Sequence, residues 1–474
     1  MIESEFRVNV RQGLEFNWYF TDCLSLSRTL MHHSATSGAT IVHEGMPNEN
    51  ADSVSVVIDP SKKYQSIFGF GGAFTDAAGI NLHSLPEELQ ENILKSYYSI
   101  EGLSYNIGRV PMASCDFSVR LYTYNDVPGD LDMAHFALTA EDLSLKVNYH
   151  GTDSFYSDRP LVTERNIWRF ISYLRQQAAQ TDHSYSLRFL QEYEKNGIRL
   201  WGLTAENEPS AGYMPGYKFQ CMGFTPSSQR DFIKMDLGPA LVDAGYGPGN
   251  LTLMIMDDNR YLLPNWANVV LGDADAAKYV QGVAVHWYAD EGVGPWVLDK
   301  THDNFPDKFI LATEACKGDK PWDKAHVILG SWDRAENYAH DILEDLLHWT
   351  TGWVDWNLAL DVVGGPNWVK NFVDSPIIVN ATGQEFYKQP MYYTLAHFSK
   401  FLPRGSVRID SRLAGEQRGK LEFGAFKTPE NATVFIVLNT DAQAYNISVR
   451  DVSRKDGAFT SSITERSIRS FIWW

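Results

Sequence analysis

Residues 198–212 read IRLWGLTAENEPSAG. An apolar run of strand length ends in two glutamates that flank an asparagine, and Pro209 follows at once. Proline has no backbone N–H to give a neighbouring strand, so Pro209 closes the ladder, and Glu206, Asn207 and Glu208 stand at the mouth of a core strand. Six further stretches have the same character: SIFGFGG (66–72), SYNIGRVPM (104–112), LTLMIMDD (251–258), GVAVHWY (282–288), KFILATEA (308–315) and GWVDWNLAL (352–360). Helical stretches separate them, among them PEELQENILKSYYS, SSQRDFIKMDLGPALVDAG and DRAENYAHDILEDLLHW. The first opens with Pro86 at its N-terminus and acids in its first turn, as a helix start prefers. Strands alternating with helices predict an α/β protein with a parallel sheet, and seven strands fall one short of a closed (β/α)8 TIM barrel.

The shortfall has a place. Between Asp116 and Ile198 no apolar alternation is visible, and the best element there is RNIWRFISYLRQQAAQ (165–180), which reads as an amphipathic helix. The expectation is a barrel whose third strand is missing or replaced. Two unpaired parallel edges would remain, which predicts a poorly soluble, weakly active chain. After residue 406 the pattern changes to short alternating strands, GKLEFGAFKT, ATVFIVLNT, YNISVRDV and SIRSFIWW, which read as a β-sandwich. The expected organisation is a segment, 1–64, that contributes strands to the sandwich, a catalytic barrel over 65–405, and the sandwich proper over 406–474.

Bulk properties narrow the function. A net charge of −18 argues against a basic nucleic-acid face and suits a protein kept soluble in an acidic compartment. The four cysteines, Cys23, Cys115, Cys221 and Cys316, are widely spaced, so no disulfide framework or zinc knuckle is visible. The start of the chain lacks the basic-then-apolar pattern of a signal peptide, and no run of about 18 apolar residues is long enough to cross a membrane. The 14 Trp, 23 Tyr and 25 Phe fit either a large core or a surface that stacks on sugar rings.

In parallel barrels the chemistry collects at the C-terminal ends of the strands. Those ends carry Asp116, Glu206 with Glu208, Asp257 with Asp258, His286 with Tyr288, Glu314, and Trp356 with Asn357. Glu208 and Glu314 form the natural pair. Glycoside hydrolysis needs a carboxylic acid on the leaving oxygen and a carboxylate on the opposite face, about 5–5.5 Å away in a retaining enzyme. A half-buried strand end beside a second carboxylate raises the pKa of an acid, and Asn207 offers an amide donor for a sugar hydroxyl. Solvated loop acids are the alternative for Glu206 and Glu208. Asp257, Asp258 and His286 could hold a divalent metal, but ligand spacing is absent and Arg260 is the expected partner of the aspartate pair. His286 reads as a supporting residue, and Cys115 and Cys316 as buried structural thiols.

The segments FGGAFTDAAG, SYNIGRVPMASCDFS, TAENEPSAG, QCMGFTP, VHWY, TEAC, GSWDRAENYAH, DWNLAL and GGPNWVKNFVDSPIIV together resemble the glucosylceramide-cleaving acid β-glucosidases of glycoside hydrolase family 30. The likeness runs from about Tyr64 to Lys146 and from about Leu187 to the C-terminus. In the third-strand region this chain carries NYHGTDSFYSDRPLVTERNIWRF in place of the family's Trp-rich segment. The resemblance implies a retaining β-glucosidase with Glu208 as acid/base and Glu314 as nucleophile. It also implies that Asp116, Asn207, Trp356 and Asn371 bind the sugar, while Arg109, Tyr217, Phe219, His286 and Tyr288 line or support the pocket. It further implies a glycolipid substrate at a membrane surface, a saposin-type activator, work in the lysosome, no nucleic acid, and neither metal nor organic cofactor. Two alternatives stand beside it: an inactive glycolipid-binding homologue, and a family 30 glycosidase for another β-glycoside.

Overall fold

The computed structural model describes residues 31–36, 52–130, 132–147, 169–174, 183–320, 322–323, 325–415, 420–454 and 458–474. Two compact units divide the chain. One comprises Phe70–Ile328 and His348–Phe386, and the other the described parts of Met1–Gly69, Leu329–Leu347 and Tyr387–Trp474.

The second unit is built on an eight-stranded sheet that takes strands from both ends of the chain. They are β1 (Met31–Thr36) and β2 (Asp52–Ser66), and after the barrel strands β14 (Val407–Leu413), β15 (Leu421–Lys427), β16 (Thr433–Asn439), β17 (Tyr445–Asp451), β18 (Ala458–Ile463) and β19 (Ser467–Trp473), in the order β1-β19-β16-β15-β14-β2-β17-β18. Alternate residues point into one core: Val54, Val56 and Ile58 from β2, Phe435 and Val437 from β16, Tyr445, Ile447 and Val449 from β17, Phe471 and Trp473 from β19. Strands from across the sheet meet in this core because the sheet folds over on itself as a β-sandwich. Two helices, Trp332–Leu347 and Pro390–Ser399, belong to the same unit, and a His340–Glu422 contact of 2.7 Å ties the first of them to β15.

The first unit is a closed parallel barrel. Its strands are β3 (Gly69–Ala73), β4 (Ile107–Met112), β5 (Arg169–Leu174), β6 (Gly202–Thr204), β7 (Thr252–Asn259), β8 (Gly282–His286), β9 (Phe309–Glu314) and β10 (Thr350–Asn357), and β10 returns to β3. A small sheet of β11 (Leu360–Asp361), β12 (Ile377–Asn380) and β13 (Glu385–Lys388) follows. β4 and β10 are buried along their whole length, as strands covered on both faces are. Ile107, Met254, Ala284, Leu311 and Val354 pack together inside the barrel. Gly71 has no room for a side chain, because a Cβ there would run into the Ile107 carbonyl of β4.

The barrel corrects the expectation of a missing third strand. Arg169–Leu174, from the stretch read as a helix, is β5, paired with β4 from Ile107↔Arg169 to Met112↔Leu174 and with β6 from Ile171↔Gly202 to Tyr173↔Thr204. The error has a physical source: RFISYL is a short apolar run, and periodicity alone does not separate a buried strand of that length from a turn or two of buried helix. Pairing on both sides satisfies the backbone groups of β4 and β6, so the ground for expecting an insoluble, weakly active chain is removed. The remainder of 165–180, including Ile167 and Trp168, lies outside the described residues, as does Cys23.

Candidate active site

Arg109 sits on β4 with none of its side chain exposed. Its guanidinium reaches three acceptors from three other strand ends. One nitrogen binds a Glu314 carboxylate oxygen, and the other binds Asn207 Oδ1 at 2.7 Å and Asp257 Oδ2 at 2.9 Å. The planar fork does what a single ammonium could not, since it serves separate acceptors at fixed angles. Tyr288 donates its hydroxyl to the second Glu314 oxygen at 3.0 Å. The Glu314 carboxylate is therefore held on both oxygens.

Glu208 is placed differently. It is half-buried and adopts a left-handed backbone (φ 47°), held by its N–H on the Asp257 carbonyl at 2.9 Å and its own carbonyl under the Ala211 N–H at 2.9 Å. A non-glycine residue held there stores strain at a point where a side chain must be aimed. The carboxylate accepts from the Tyr217 hydroxyl at 3.0 Å and faces His286 Nδ1 at 3.3 Å. Two bulges contribute to the aim. The β7–β8 register shifts between Met256 and Asp258, and the β8–β9 register shifts between Val285 and His286. An extra residue in one strand turns the side chains beyond it. The outcome is that one oxygen of Glu208, one nitrogen of His286 and one oxygen of Glu314 lie within 4.8 Å of one another.

His286 is buried, which alone would depress its pKa. The Glu314 charge and hydrogen bonds to Asp257 and Glu208 overcome that and push it up to about 10. Burial likewise raises Asp257, but Arg109 and His286 outweigh it and hold its carboxyl well below the usual range. Asp257 also accepts from Thr204 at 2.7 Å and Thr313 at 2.6 Å. Asp258 is pushed up, first by burial and then by the nearby charge of Glu208. Glu208, His286 and Glu314 are the only described His, Cys, Asp or Glu side chains grouped closely enough to ligate a metal ion. A metal there would have to displace a proton from a histidine whose ring nitrogens face two carboxylates, and would meet the Arg109 charge. That chemistry does not fit a resident metal.

The other sequence-derived residues line the same barrel end. Trp356, buried at the end of β10, lies under Arg109 with 5.5 Å from guanidinium to ring centre, and Phe117 packs edge-on against it. Asp116 is buried and accepts from Asn371 Nδ2 at 3.2 Å and Asn367 Nδ2 at 3.4 Å. Phe219 touches the ring of Tyr217 at 4.6 Å between centres. Asn207 is fully buried, gives its oxygen to Arg109, and keeps Nδ2 without a hydrogen-bond partner among the described residues. Cys115 and Cys316 are buried thiols, as the sequence suggested.

One pairing read from sequence is corrected. The ionic partner of Asp257 is Arg109, 148 positions away, not Arg260, which instead meets Asp290 at 3.2 Å. Sequence proximity favoured Arg260, but the barrel brings β4 and β7 together across its interior. Asp257 was read from sequence only as a strand-end acid or metal ligand, not as the partner of Arg109, and Thr313 and Asn367 were not singled out. For Thr313 the only sequence signal was its position beside the end of a strand.

A closed parallel barrel with two carboxylates converging at the C-terminal ends of its strands, in a chain that also carries a β-sandwich unit, defines the protein as a barrel glycosidase. The chain belongs to glycoside hydrolase family 30. The glycosyl hydrolase family 30 TIM-barrel domain matches residues 67–402, and the family 30 β-sandwich domain matches 405–471. The chain is 44% identical to the lysosomal acid glucosylceramidase of Mus musculus over 90% of its own length and 84% of the relative's. It is 43% identical to putative glucosylceramidase 2 of Caenorhabditis elegans, over 92% and 87% of the two chains. SrfJ of Salmonella typhimurium shares the fold, with a TM-score of 0.80 at 23% identity over 93% of this chain and 98% of that one.

Proposed function

We propose that the chain is a retaining β-glucosidase that hydrolyses glucosylceramide to glucose and ceramide, with Glu314 as nucleophile and Glu208 as acid/base. The observation that carries this is the approach of a Glu208 oxygen to within 4.8 Å of a Glu314 oxygen across the barrel mouth. A retaining enzyme needs carboxylates that close, because one must bond to the anomeric carbon while the other reaches the glycosidic oxygen. Glu314, held on both oxygens by Arg109 and Tyr288, is aimed, as a nucleophile requires. Glu208, half-buried and accepting from the Tyr217 hydroxyl, is the carboxyl left across the mouth to serve as the acid.

In the first step Glu208 gives its proton to the glycosidic oxygen while Glu314 attacks the anomeric carbon, and ceramide leaves. In the second, Glu208 takes a proton from water, the oxygen attacks the same carbon, and Glu314 departs as carboxylate with glucose released. Asn207 Nδ2, buried and unengaged, is suited to a sugar hydroxyl beside the reacting carbon. Asp116 with Asn371 supplies polar contacts to the other hydroxyls, and Trp356 supplies an apolar wall. Tyr217, Phe219, Tyr288, His286 and Arg109 shape and support the pocket.

A lipid aglycone is supported by the segments that follow the barrel strands. Trp322 is 75% exposed, and Tyr213, Met214, Trp296, Val362 and Val363 are exposed on segments that follow other barrel strands. Large apolar tips on the substrate face suit a membrane surface. Action in the lysosome, within sphingolipid breakdown, is part of this proposal and is supported by the likeness to the mouse lysosomal acid glucosylceramidase; a saposin-type activator is proposed with it. No described helix is long and apolar enough to cross a membrane. The test is hydrolysis of glucosylceramide in anionic phospholipid vesicles, with the product followed by proton NMR. β-Glucose should form first and then mutarotate. α-Glucose as first product, or turnover of β-1,6-gluco-oligosaccharides in preference to the lipid, overturns the proposal.

A further inference from the structure

A second buried charge cluster stands beside the site and has no part in the chemistry above. Lys146 is fully buried, and its Nζ has five oxygens within 3.4 Å: Asp76 Oδ1 at 3.1 Å, the Ala113 carbonyl at 3.2 Å, the Tyr122 hydroxyl at 3.3 Å, Asp142 Oδ1 at 3.4 Å and the Pro111 carbonyl at 3.4 Å. Asp142 accepts further from the Tyr124 hydroxyl at 2.6 Å and the Tyr193 hydroxyl at 2.8 Å. Asp76 accepts from the Ser118 hydroxyl at 2.5 Å and the Tyr122 hydroxyl at 2.9 Å. Burial opposes a charge on Lys146, but Asp142 and Asp76 outweigh it, so the ammonium stays protonated.

The arrangement of these contacts is what points beyond packing. Asp116 rides on the short loop 113–118 that follows β4. Ala113, at the start of that loop, is held in the left-handed region (φ 60°), and its carbonyl is one of the Lys146 acceptors. Ser118, at the end, is held by Asp76 and in turn accepts from the Cys115 N–H at 3.1 Å, one residue before Asp116. The cluster therefore grips both ends of the loop, and a strained residue persists only where its surroundings over-determine it. From the other side Gln220 donates to the Ser114 carbonyl at 2.6 Å, linking the loop to the segment that carries Tyr217 and Phe219.

We propose that Lys146 is a positioning residue for the sugar subsite, fixing the loop that presents Asp116 through the Ala113 carbonyl and through Asp76 and Ser118. The proposal rests on the reading of Asp116 as a sugar ligand. It predicts that breaking the link damages sugar recognition through Asp116 and leaves Glu208 and Glu314 in place.

The test is a double-mutant cycle. Ser118→Ala leaves the contacts of Lys146 intact and removes the bond between Asp76 and the end of the loop, together with the Cys115 N–H bond to the same hydroxyl. It should lower kcat/KM for glucosylceramide about tenfold, the effect of losing one charge-assisted hydrogen bond. In an Asp116→Asn background the same substitution should change kcat/KM by less than about twofold, since coupled residues are not additive. An equal loss in both backgrounds overturns the proposal. Amide hydrogen exchange supplies a readout free of substrate. In Lys146→Met, exchange across 113–118 should rise about tenfold or more while 204–208 is unchanged, if the variant folds. Unchanged exchange at 113–118 in a folded Lys146→Met also overturns it. If the wild-type chain turns over no β-glucoside, the functional reading fails, and the exchange result alone decides the role of Lys146. If Lys146→Met does not fold, exchange across 113–118 in Ser118→Ala is measured instead, with the same expectation and the same contrary result.

Discussion

Two buried cations, one on β4 and one at its end, are used in opposite ways. Arg109, within the strand, spreads one guanidinium over Asn207, Asp257 and Glu314. Lys146 sits past the strand's end, where a compact ammonium is surrounded by two carboxylates, two carbonyls and a phenol. Both are fully buried, and each faces two acids. Around Lys146 the acids are closed off by tyrosines and Ser118. Around Arg109 the centre is left incomplete: Glu208 is only half-buried, and Asn207 Nδ2 has no partner among the described residues. A saturated cluster fixes geometry, whereas one with a free donor and a partly exposed carboxylate has something left for a ligand.

The comparison breaks most sharply at Arg109. Arg109→Lys keeps the charge but loses the fork, so one ammonium would have to choose among acceptors on three strand ends. Misplacing Glu314 by about 1 Å should lower kcat/KM about 10²-fold in a steady-state assay on glucosylceramide. A loss under about threefold would mean that the fork is not what aims Glu314.

A smaller effect, visible in stability, is expected at His286. Its pKa is raised to about 10 in the folded state from an ordinary 6.5, so the folded protein binds a proton that the unfolded chain releases between those values. The stabilisation is complete below about pH 6.5 and is lost as pH rises through about 10. The difference in Tm between wild type and His286→Asn should therefore be largest at pH 5–6 and shrink steadily towards pH 10. A difference independent of pH would place His286 in a neutral, merely packed role.

The legibility of the molecule divides along physical lines. Strand ends in a parallel barrel are marked by apolar runs that stop at polar residues, so Glu208, Glu314, Asp116 and Trp356 could be named from position. β5 could not, because RFISYL is short enough to suit either regular structure, and only pairing with β4 and β6 decides. The partner of β2 was equally hidden, although strands from 1–64 were expected in the sandwich. β2 lies some 340 positions from β14, its antiparallel partner, and no local pattern records such a pairing. The Arg109–Asp257 pair and the Lys146 cluster escaped for the same reason. Arg109 stands 148 positions from Asp257, and Lys146 stands 70 from Asp76 (146 − 76), so neither pair leaves a spacing signature; only Asp142, four residues before Lys146, is local to it.

The measurement that bears most directly on the proposed chemistry is trapping of the covalent intermediate. A 2-deoxy-2-fluoroglucoside with an activated leaving group slows release of the sugar from the nucleophile more than its attachment, so the labelled enzyme accumulates and can be digested and sequenced by mass spectrometry. The expected result is a single fluoroglucosyl group on Glu314, within KFILATEACK, and no label in Glu314→Gln. A label on Glu208 or Asp257, or undiminished labelling of Glu314→Gln, would contradict the assignment of nucleophile and acid.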